Sequence, residues 1–294
     1  MFDELMDAVN AGEHLPPAEI ARLAATADIL SLGMLADTVR RRLHGAQVTY
    51  LRVAPCGFDQ SFTDAVSIAA REIRITGAPP TFAAAVSAVE AAKAVAGERT
   101  VSGFSWNDVD RVAAGEGIPL PRALDALHNA GLDAIAEVPL DAADNLDAVI
   151  DALVGAGFQD VRLALEKAPA AERTTLLLKA AELQSRCRCI RSINPLPTVR
   201  HSSQPTTGYD DVKAVALARL SAPNVPTVQV DWHRYGPKLA QVALTFGADD
   251  VDGVSASDDA PEGRRRAPLE EVRRNIEAAG FSPAERDGRF QLVS

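Results

Sequence analysis

Short apolar runs rich in β-branched residues alternate along this chain with longer segments whose apolar positions recur every three to four residues. This alternation is typical of parallel β-strands joined by crossover helices. Eight strand candidates can be counted, and eight strands are the number that closes a (βα)8 TIM barrel. The strand candidates are residues 47–54, 72–76, 100–104, 134–138, 160–165, 189–193, 227–231 and 249–251.

The segments between these runs have the spacing of amphipathic helices. The helix candidates are residues 81–96, 120–129, 146–156, 170–184, 210–220, 237–246 and 268–279. The pattern predicts one domain over residues 1–294, with a helical N-terminal cap over 1–44, the barrel over 45–253, and a C-terminal helix and tail over 254–294.

Composition and charge limit the partners and the compartment. A net charge of -10 and a pI near 5.0 argue against nucleic acid and anionic membranes, which attract Lys and Arg. No apolar run reaches the ~18 residues of a membrane span, and the first residues are acidic. Three cysteines, an odd number, suit a reducing compartment. We therefore expect a cytoplasmic protein with no nucleic-acid or membrane partner.

In barrels of this type ligands bind at the C-terminal ends of the strands, where the βα loops converge. Residues at or just after the predicted strand ends are therefore the candidates for a ligand-binding rim. They are Cys56, Gly77, Ser105, Glu137, Glu166, Asn194, His201, Asp231, His233 and Asp250. The carboxylates at this rim either perturb one another's pKa and hold a cation, or form salt bridges with arginines such as Arg162, Arg191 and Arg234.

Three further features leave alternatives open. Asp231 and His233 are either an acid–base pair or structural hydrogen-bonding groups. Trp106 and Trp232, near strand ends, either stack on a planar ligand or pack against the helices. Cys187 and Cys189 would face one side of a strand, and we interpret them as ordinary thiols at the end of the barrel opposite the rim. The sequence contains no phosphate-binding glycine loop, nucleophile elbow or zinc-helix motif.

Three segments, 239–253, 278–287 and 32–45, resemble corresponding parts of aminofutalosine synthase, the radical S-adenosylmethionine (SAM) enzyme of the futalosine route to menaquinone. The resemblance implies a radical SAM barrel with a [4Fe–4S] cluster held by three thiolates after the first strand. This chain offers only Cys56 there, with either Arg52 and Asp59 or Gln60 and Thr63 in the other ligand places. The glycine-rich SAM turn is reduced to residues 77–80, so neither cluster nor SAM is expected.

These observations lead to three functional hypotheses. The first is a cluster-free homologue of aminofutalosine synthase, with no predicted cofactor or metal. It would serve menaquinone biosynthesis as a ligand-binding subunit, a homodimer or the partner of an intact paralogue. The second is a non-radical enzyme that uses Asp231, His233 or Glu137 on a chorismate-derived or nucleoside-like substrate. The third is a radical enzyme with unusual cluster ligands such as Asp59 and Cys56.

Overall fold

Nine β-strands form one sheet within the part of the chain that the computed structural model describes, residues 2–141, 145–199, 207–257, 259–260 and 266–293. The strands are β1 (Gln47–Gly57), β2 (Glu72–Thr76), β3 (Thr100–Ser105), β4 (Ala134–Pro139), β5 (Val161–Ala164), β6 (Ile190–Asn194), β7 (Thr227–Asp231), β8 (Asp250–Ser255) and β9 (Ser282–Glu285). Strands β1 to β8 pair in parallel in chain order, and β1 pairs with both β2 and β8. The predicted (βα)8 barrel is therefore confirmed.

Helices surround the barrel and also precede and follow it. They are α1 (Phe2–Ala11), α2 (Pro17–Ala25), α3 (Ile29–His44), α4 (Phe62–Ala65), α5 (Phe82–Ala96), α6 (Trp106–Gly115), α7 (Leu120–Ala130), α8 (Leu146–Gly155), α9 (Ala170–Cys187), α10 (Gly208–Ser221), α11 (Trp232–Leu244) and α12 (Pro268–Ala278). The sequence analysis missed α4, α6 and β9. Helix α6 was missed because it begins directly after β3 with no turn residue between them.

Alternating side chains divide the barrel wall into a polar inside and an apolar outside. In β2, Glu72 and Arg74 face the lumen, whereas Ile73 and Ile75 are buried among the apolar side chains of the helical layer. Each fully buried Val, Leu or Ile side chain in that layer stabilises the fold by roughly 1.5–3 kcal/mol. The apolar core therefore lies mainly between strands and helices, and the charged groups Glu72 and Arg74 lie in the lumen.

The C-terminal tail closes the N-terminal end of the barrel. Strand β9 pairs in parallel with the first half of β1, and Arg286 follows it into the lumen. The Arg286 guanidinium binds the Asp250 carboxylate through Nε–Oδ1 (2.6 Å) and Nη2–Oδ2 (2.7 Å) and lies 3.9 Å from the centre of the Phe290 ring. Thr49 Oγ1 and Gln229 Nε2 also donate to Asp250.

The structure corrects three of the predictions about the rim. Asp250 begins β8 instead of ending it, so this carboxylate lies at the end of the barrel opposite the predicted rim. Arg162 donates to Glu72 and to the Gly288 carbonyl, and Arg191 donates to the Phe290 carbonyl, so neither guanidinium pairs with a rim carboxylate as predicted.

Among the described residues, no helix combines the length and the hydropathy needed to cross a bilayer.

Candidate functional site

A polar cavity of about 150 Å³ opens at the C-terminal ends of β3, β4 and β5. Three predicted rim residues, Ser105, Glu137 and Glu166, line this rim cavity together. Its remaining lining residues are Asn107, Pro139, Ala164, Thr198 and Val199. Asn107 and Thr198 were not predicted, although each follows a strand end by only a few residues, which is the signal that could have identified them.

Local hydrogen bonds hold the rim side chains in place. Ser105 ends β3 and caps α6, because its Oγ accepts from the Asp108 backbone N–H at 3.2 Å and donates to Asp108 Oδ2 at 2.7 Å. Asn107 Nδ2 donates to Glu166 Oε2 at 2.8 Å. The Asp141 carboxylate accepts from the backbone N–H groups of Glu166 and Lys167, both at 2.7 Å. The loop after β5 is thereby fixed at the cavity edge.

An ion pair crosses the mouth of the barrel between Glu137 and Arg234. Arg234 Nη1 donates to Glu137 Oε1, and both side chains remain partly exposed. Burial opposes ionisation of Arg234, but the hydrogen bond and charge of Glu137 raise the pKa of its guanidinium above the ordinary value. This pair is the rim salt bridge that the sequence analysis offered as one alternative. Together with Glu166 it gives the rim one cation and two carboxylates.

Asp231 ends β7 at the same end of the barrel. Its side chain is buried and caps α11, with Oδ1 accepting from the Arg234 backbone N–H at 2.8 Å. Burial first, and then the charge of Asp252, raise the pKa of the Asp231 carboxyl above its ordinary value. Arg74 forms two hydrogen bonds with Asp252 (2.8 and 3.0 Å), whereas the Arg234 guanidinium lies 3.9 Å from Asp231 Oδ2. Asp231 is therefore suited to hold a proton.

Other predicted site residues lie apart from this group. His233 is exposed in the first turn of α11, because β7 ends at Asp231 and the chain turns into a helix. The strand ends at Asp231 as predicted, so His233 does not share the side of the chain on which Asp231 lies. The side chain of Asn194 accepts from the Leu196 backbone N–H at 3.1 Å, and Gly77 adopts a φ of +88° next to the Phe58 ring. His201 lies outside the described residues.

The surroundings of the two tryptophans and of the Cys-x-Cys pair decide which interpretation of each is correct. Trp106 and Trp232 are buried in the apolar core at the starts of α6 and α11, in agreement with the packing alternative. Cys187 is the last residue of α9, and Cys189 precedes β6. The two form a disulfide. Their interpretation as ordinary thiols on one strand is therefore wrong, because α9 continues through Cys187 and Arg188 turns the chain with a φ of +53°.

The residues at the end of β1 do not fit a [4Fe–4S] cluster. Cys56 is level with Ile75 of the neighbouring strand, so it faces the helical layer and not the lumen, and 1% of it is exposed. Burial and the nearby Asp59 raise the pKa of its thiol, although cluster ligands are thiolates. Arg52 Nε is bound to Glu285 Oε1 at 2.7 Å. The described residues contain no group of three His, Cys, Asp or Glu placed to hold a metal ion.

The sequence is similar to one family model and to several enzymes. Residues 192–294 match the family model of the CofH/MqnC C-terminal region. The chain is 32% identical over 134 residues to the 5-amino-6-(D-ribitylamino)uracil–L-tyrosine 4-hydroxyphenyl transferase of Archaeoglobus fulgidus, covering 41% of this chain and 39% of the relative. It is 37% identical over 100 residues to the aminodeoxyfutalosine synthase of Streptomyces coelicolor, covering 31% of this chain and 25% of the relative.

These two alignments span less than half of either relative, but a longer one exists. The 5-amino-6-(D-ribitylamino)uracil–L-tyrosine 4-hydroxyphenyl transferase of Methanoculleus marisnigri is 26% identical over 317 aligned positions, which cover 85% of each chain. The similarity therefore reaches most of the barrel and is strongest in part of its length.

Solved structures agree on the fold. Methylornithine synthase superposes with a TM-score of 0.69 at 13% identity, over 95% of this chain and 97% of its own. The [FeFe]-hydrogenase maturase HydG of Carboxydothermus hydrogenoformans superposes with a TM-score of 0.70 at 13% identity, over 96% of this chain and 79% of its own. These likenesses agree with the (βα)8 barrel fold. The sequence matches show that the chain is similar, over part of its length, to the aminofutalosine synthase-like family.

Proposed function

We propose that this protein is a cluster-free member of its family that binds a small polar molecule at the rim cavity. The observation that carries the proposal is the placement of Cys56, the one cysteine near the cluster position, in the wall between β1 and the helices. A cubane cluster needs three thiolates or comparable soft ligands facing one space. Asp59, a hard ligand exposed in the following turn, is a poor substitute.

The rim cavity supports a role in ligand binding. Glu137 and Glu166 provide acceptors, Asn107 and Ser105 provide both donors and acceptors, and Arg234 provides a cation beside them. These groups match a ligand with several hydroxyl or amino groups, such as a ribosyl or amino-substituted ring. A volume of about 150 Å³ accommodates one such ring. Charged side chains such as Arg74 and Asp252 occupy the lumen below, so the ligand stays at the mouth of the barrel.

Similarity to this family suggests where this ligand belongs. Because relatives of this chain include enzymes named aminodeoxyfutalosine synthase, we place the protein in or beside menaquinone biosynthesis. We further propose that it acts there with an intact paralogue, or as a homodimer, in the cytoplasm. Co-expression of the two chains followed by affinity purification tests the pairing, and recovery of this chain alone as a monomer contradicts it.

Anaerobic reconstitution with iron and sulfide tests the loss of the cluster. We expect the protein to take up substoichiometric, chelator-removable iron and to form no 5′-deoxyadenosine from SAM under a strong reductant. An intact family member treated in parallel is the positive control. A stoichiometric [4Fe–4S] spectrum with SAM cleavage would overturn the proposal, and Cys56→Ala then tests whether this thiol is a ligand.

Ligand binding at the rim is tested separately by calorimetry with ribosides and enolpyruvyl or hydroxylated benzoates. Glu166→Gln keeps the size of the side chain and its hydrogen bond with Asn107 while removing a charge, and we expect it to weaken binding about tenfold. Glu172→Gln, an exposed position in α9 away from the rim cavity, is the matched control. Equal affinities of both variants and the parent chain contradict a role for this cavity.

A second candidate function is a non-radical reaction that uses Asp231 as a proton carrier. The observation in its favour is the raised pKa of this carboxyl, which lies beside Arg234 at the mouth of the barrel. Arg234 also binds Glu137, so the two acids share one cation. This function predicts iron-independent turnover that Asp231→Asn abolishes without changing substrate affinity. Unchanged turnover in that variant removes Asp231 from the reaction.

A further inference from the structure

A second cavity, of about 230 Å³, lies between the first turns of α9 and α10 and beneath α2. It shares no lining residue with the rim cavity. Its polar lining consists of Arg173, Thr174, Asp210 and Lys213, and its apolar lining of Ala24, Ala170, Ala171, Ala214 and Leu217. The volume equals that of roughly eight water molecules at about 30 Å³ each, enough for a phosphate or carboxylate group with part of a ligand.

The Arg173 guanidinium carries an unused hydrogen-bond donor in this cavity wall. Only 5% of the residue is exposed, and Nε donates to the Ala168 carbonyl at 3.0 Å. Nη1 is buried and has no hydrogen-bond partner among the described residues. A buried donor without an acceptor costs about 1–3 kcal/mol, more when the group is charged, so native proteins seldom keep one without a reason.

The first turn of α9 contributes a second attraction for anions. This helix is 18 residues long, and Pro169 at its N-cap has no side chain that accepts a hydrogen bond. The backbone N–H groups at the start of an uncapped helix are free donors, and the helix dipole adds about half a positive charge. Ala170 and Ala171, the first two helical residues, line the cavity and are exposed.

The side chains that line the cavity carry more positive than negative charge, although Glu172 and Asp211 lie close by in the first turns of α9 and α10. Lys213 lines it and donates from Nζ to the Thr26 carbonyl at 2.7 Å. The Asp210 carboxylate is engaged by the backbone N–H of Thr207 at 3.0 Å and by Thr207 Oγ1 at 2.8 Å. The lining side chains therefore comprise two cations and one carboxylate, and that carboxylate is already committed to capping α10.

We infer that this α9–α10 cavity is an oxyanion site, in which Arg173, Lys213 and the free N–H groups of α9 bind a phosphate or carboxylate group of a small molecule. Arg173 supplies the directed donor, and the helix end supplies a preorganised positive field. The site is independent of the rim cavity and of any reaction there, so it stands even if the proposed function fails.

Inorganic phosphate is the first probe, titrated at constant ionic strength while binding is followed by calorimetry and thermal unfolding. We expect saturable binding by the parent chain and an affinity at least about tenfold weaker in Arg173→Met. Arg122→Met, at an exposed position on α7, is the matched control and should bind as the parent does.

Ala171→Asp separates binding from folding. A carboxylate in the first turn of a helix interacts favourably with its dipole, so the variant should be as stable as the parent. The same carboxylate repels an incoming anion, so phosphate binding should be lost. Benzoate titrations then distinguish the two sources of the oxyanion. Binding of phosphate alone assigns the site to phosphate esters. Binding of benzoate that depends on the same variants assigns it to carboxylates. A non-saturable response, or equal responses of all variants, overturns the inference.

Discussion

At the scale of single residues, the least predictable feature is the full burial of Glu72 at the start of β2. Its carboxylate accepts from Arg162, Arg74 and Ser102 at distances between 2.6 and 3.0 Å. Burial opposes its ionisation, but Arg162 and Arg74 hold the pKa of Glu72 well below its ordinary value. The sequence predicted the strand with its correct limits. It could not predict the ion network, because Arg162 and Ser102 come from other strands, 90 and 30 residues further along the chain.

Glu72→Gln is therefore expected to destabilise the fold by about 3–5 kcal/mol, since it leaves the buried Arg162 guanidinium without its carboxylate and leaves Arg74 with Asp252 alone. Urea unfolding followed by circular dichroism measures the loss. Glu270→Gln is the control, because Glu270 is about half exposed and its pair with Arg274 stabilises by less than about 1 kcal/mol. Equal losses in the two variants would contradict the importance of the buried network.

The raised pKa of Asp231 predicts that this carboxyl makes the fold less stable as the pH rises. The pKa of this carboxyl is higher in the folded state than in the unfolded chain. Its ionisation therefore lowers the free energy of unfolding as the pH rises through the folded-state pKa. Asp231→Asn keeps a good helix cap and removes this cost. We expect the variant to be more stable than the parent at pH 7. The difference should shrink below about pH 4, where the carboxyl is protonated in the unfolded chain as well. A stability difference that does not change with pH would contradict this assignment.

At the scale of elements, the pattern located all eight barrel strands but misplaced the end of β8. Strand β8 was expected over residues 249–251. Instead Gly253 adopts a φ of +69° within a β-bulge opposite Tyr50 and Arg52, and the strand continues to Ser255. This displacement alone moved Asp250 from the expected rim to the opposite end. Ser105, which ends β3, and Glu166, which follows β5, lie at the end of the barrel where the pattern placed them.

The tail segment after β9 offers a matched set of variants. Arg286→Met should cost about 3–5 kcal/mol, because it leaves the Asp250 carboxylate buried without its cation. The double variant Asp250→Asn with Arg286→Met should be more stable than Arg286→Met alone, because it removes the unpaired charge. Chemical unfolding of the single and double variants measures this coupling. Strictly additive losses would show that the two side chains do not depend on each other.

At the scale of the whole molecule, both ends of the described chain are fastened to the barrel. Arg42 Nη1 in α3 donates to the Val9 carbonyl in α1 at 2.7 Å, and His44 Nε2 lies 2.9 Å from the Pro226 carbonyl before β7. At the other end, Arg286 and Phe290 fill the lumen. The N-terminal helices and the tail are therefore parts of one structure with the barrel.

This arrangement predicts a single cooperative unfolding transition. Trp106 and Trp232 report on the rim by fluorescence, whereas far-ultraviolet circular dichroism reports on all helices. The two signals should give the same urea midpoint and the same slope. An earlier fluorescence or dichroism transition, belonging to the N-terminal helices or the tail, would contradict the prediction.

The position of Arg286 also has a consequence for synthesis on the ribosome. The eight barrel strands are translated before it, yet the buried Asp250 carboxylate lacks its cation until Arg286 has left the exit tunnel. The nascent barrel therefore remains open at this end until the segment after β9 has emerged. Chaperones have that interval in which to hold an otherwise complete set of strands.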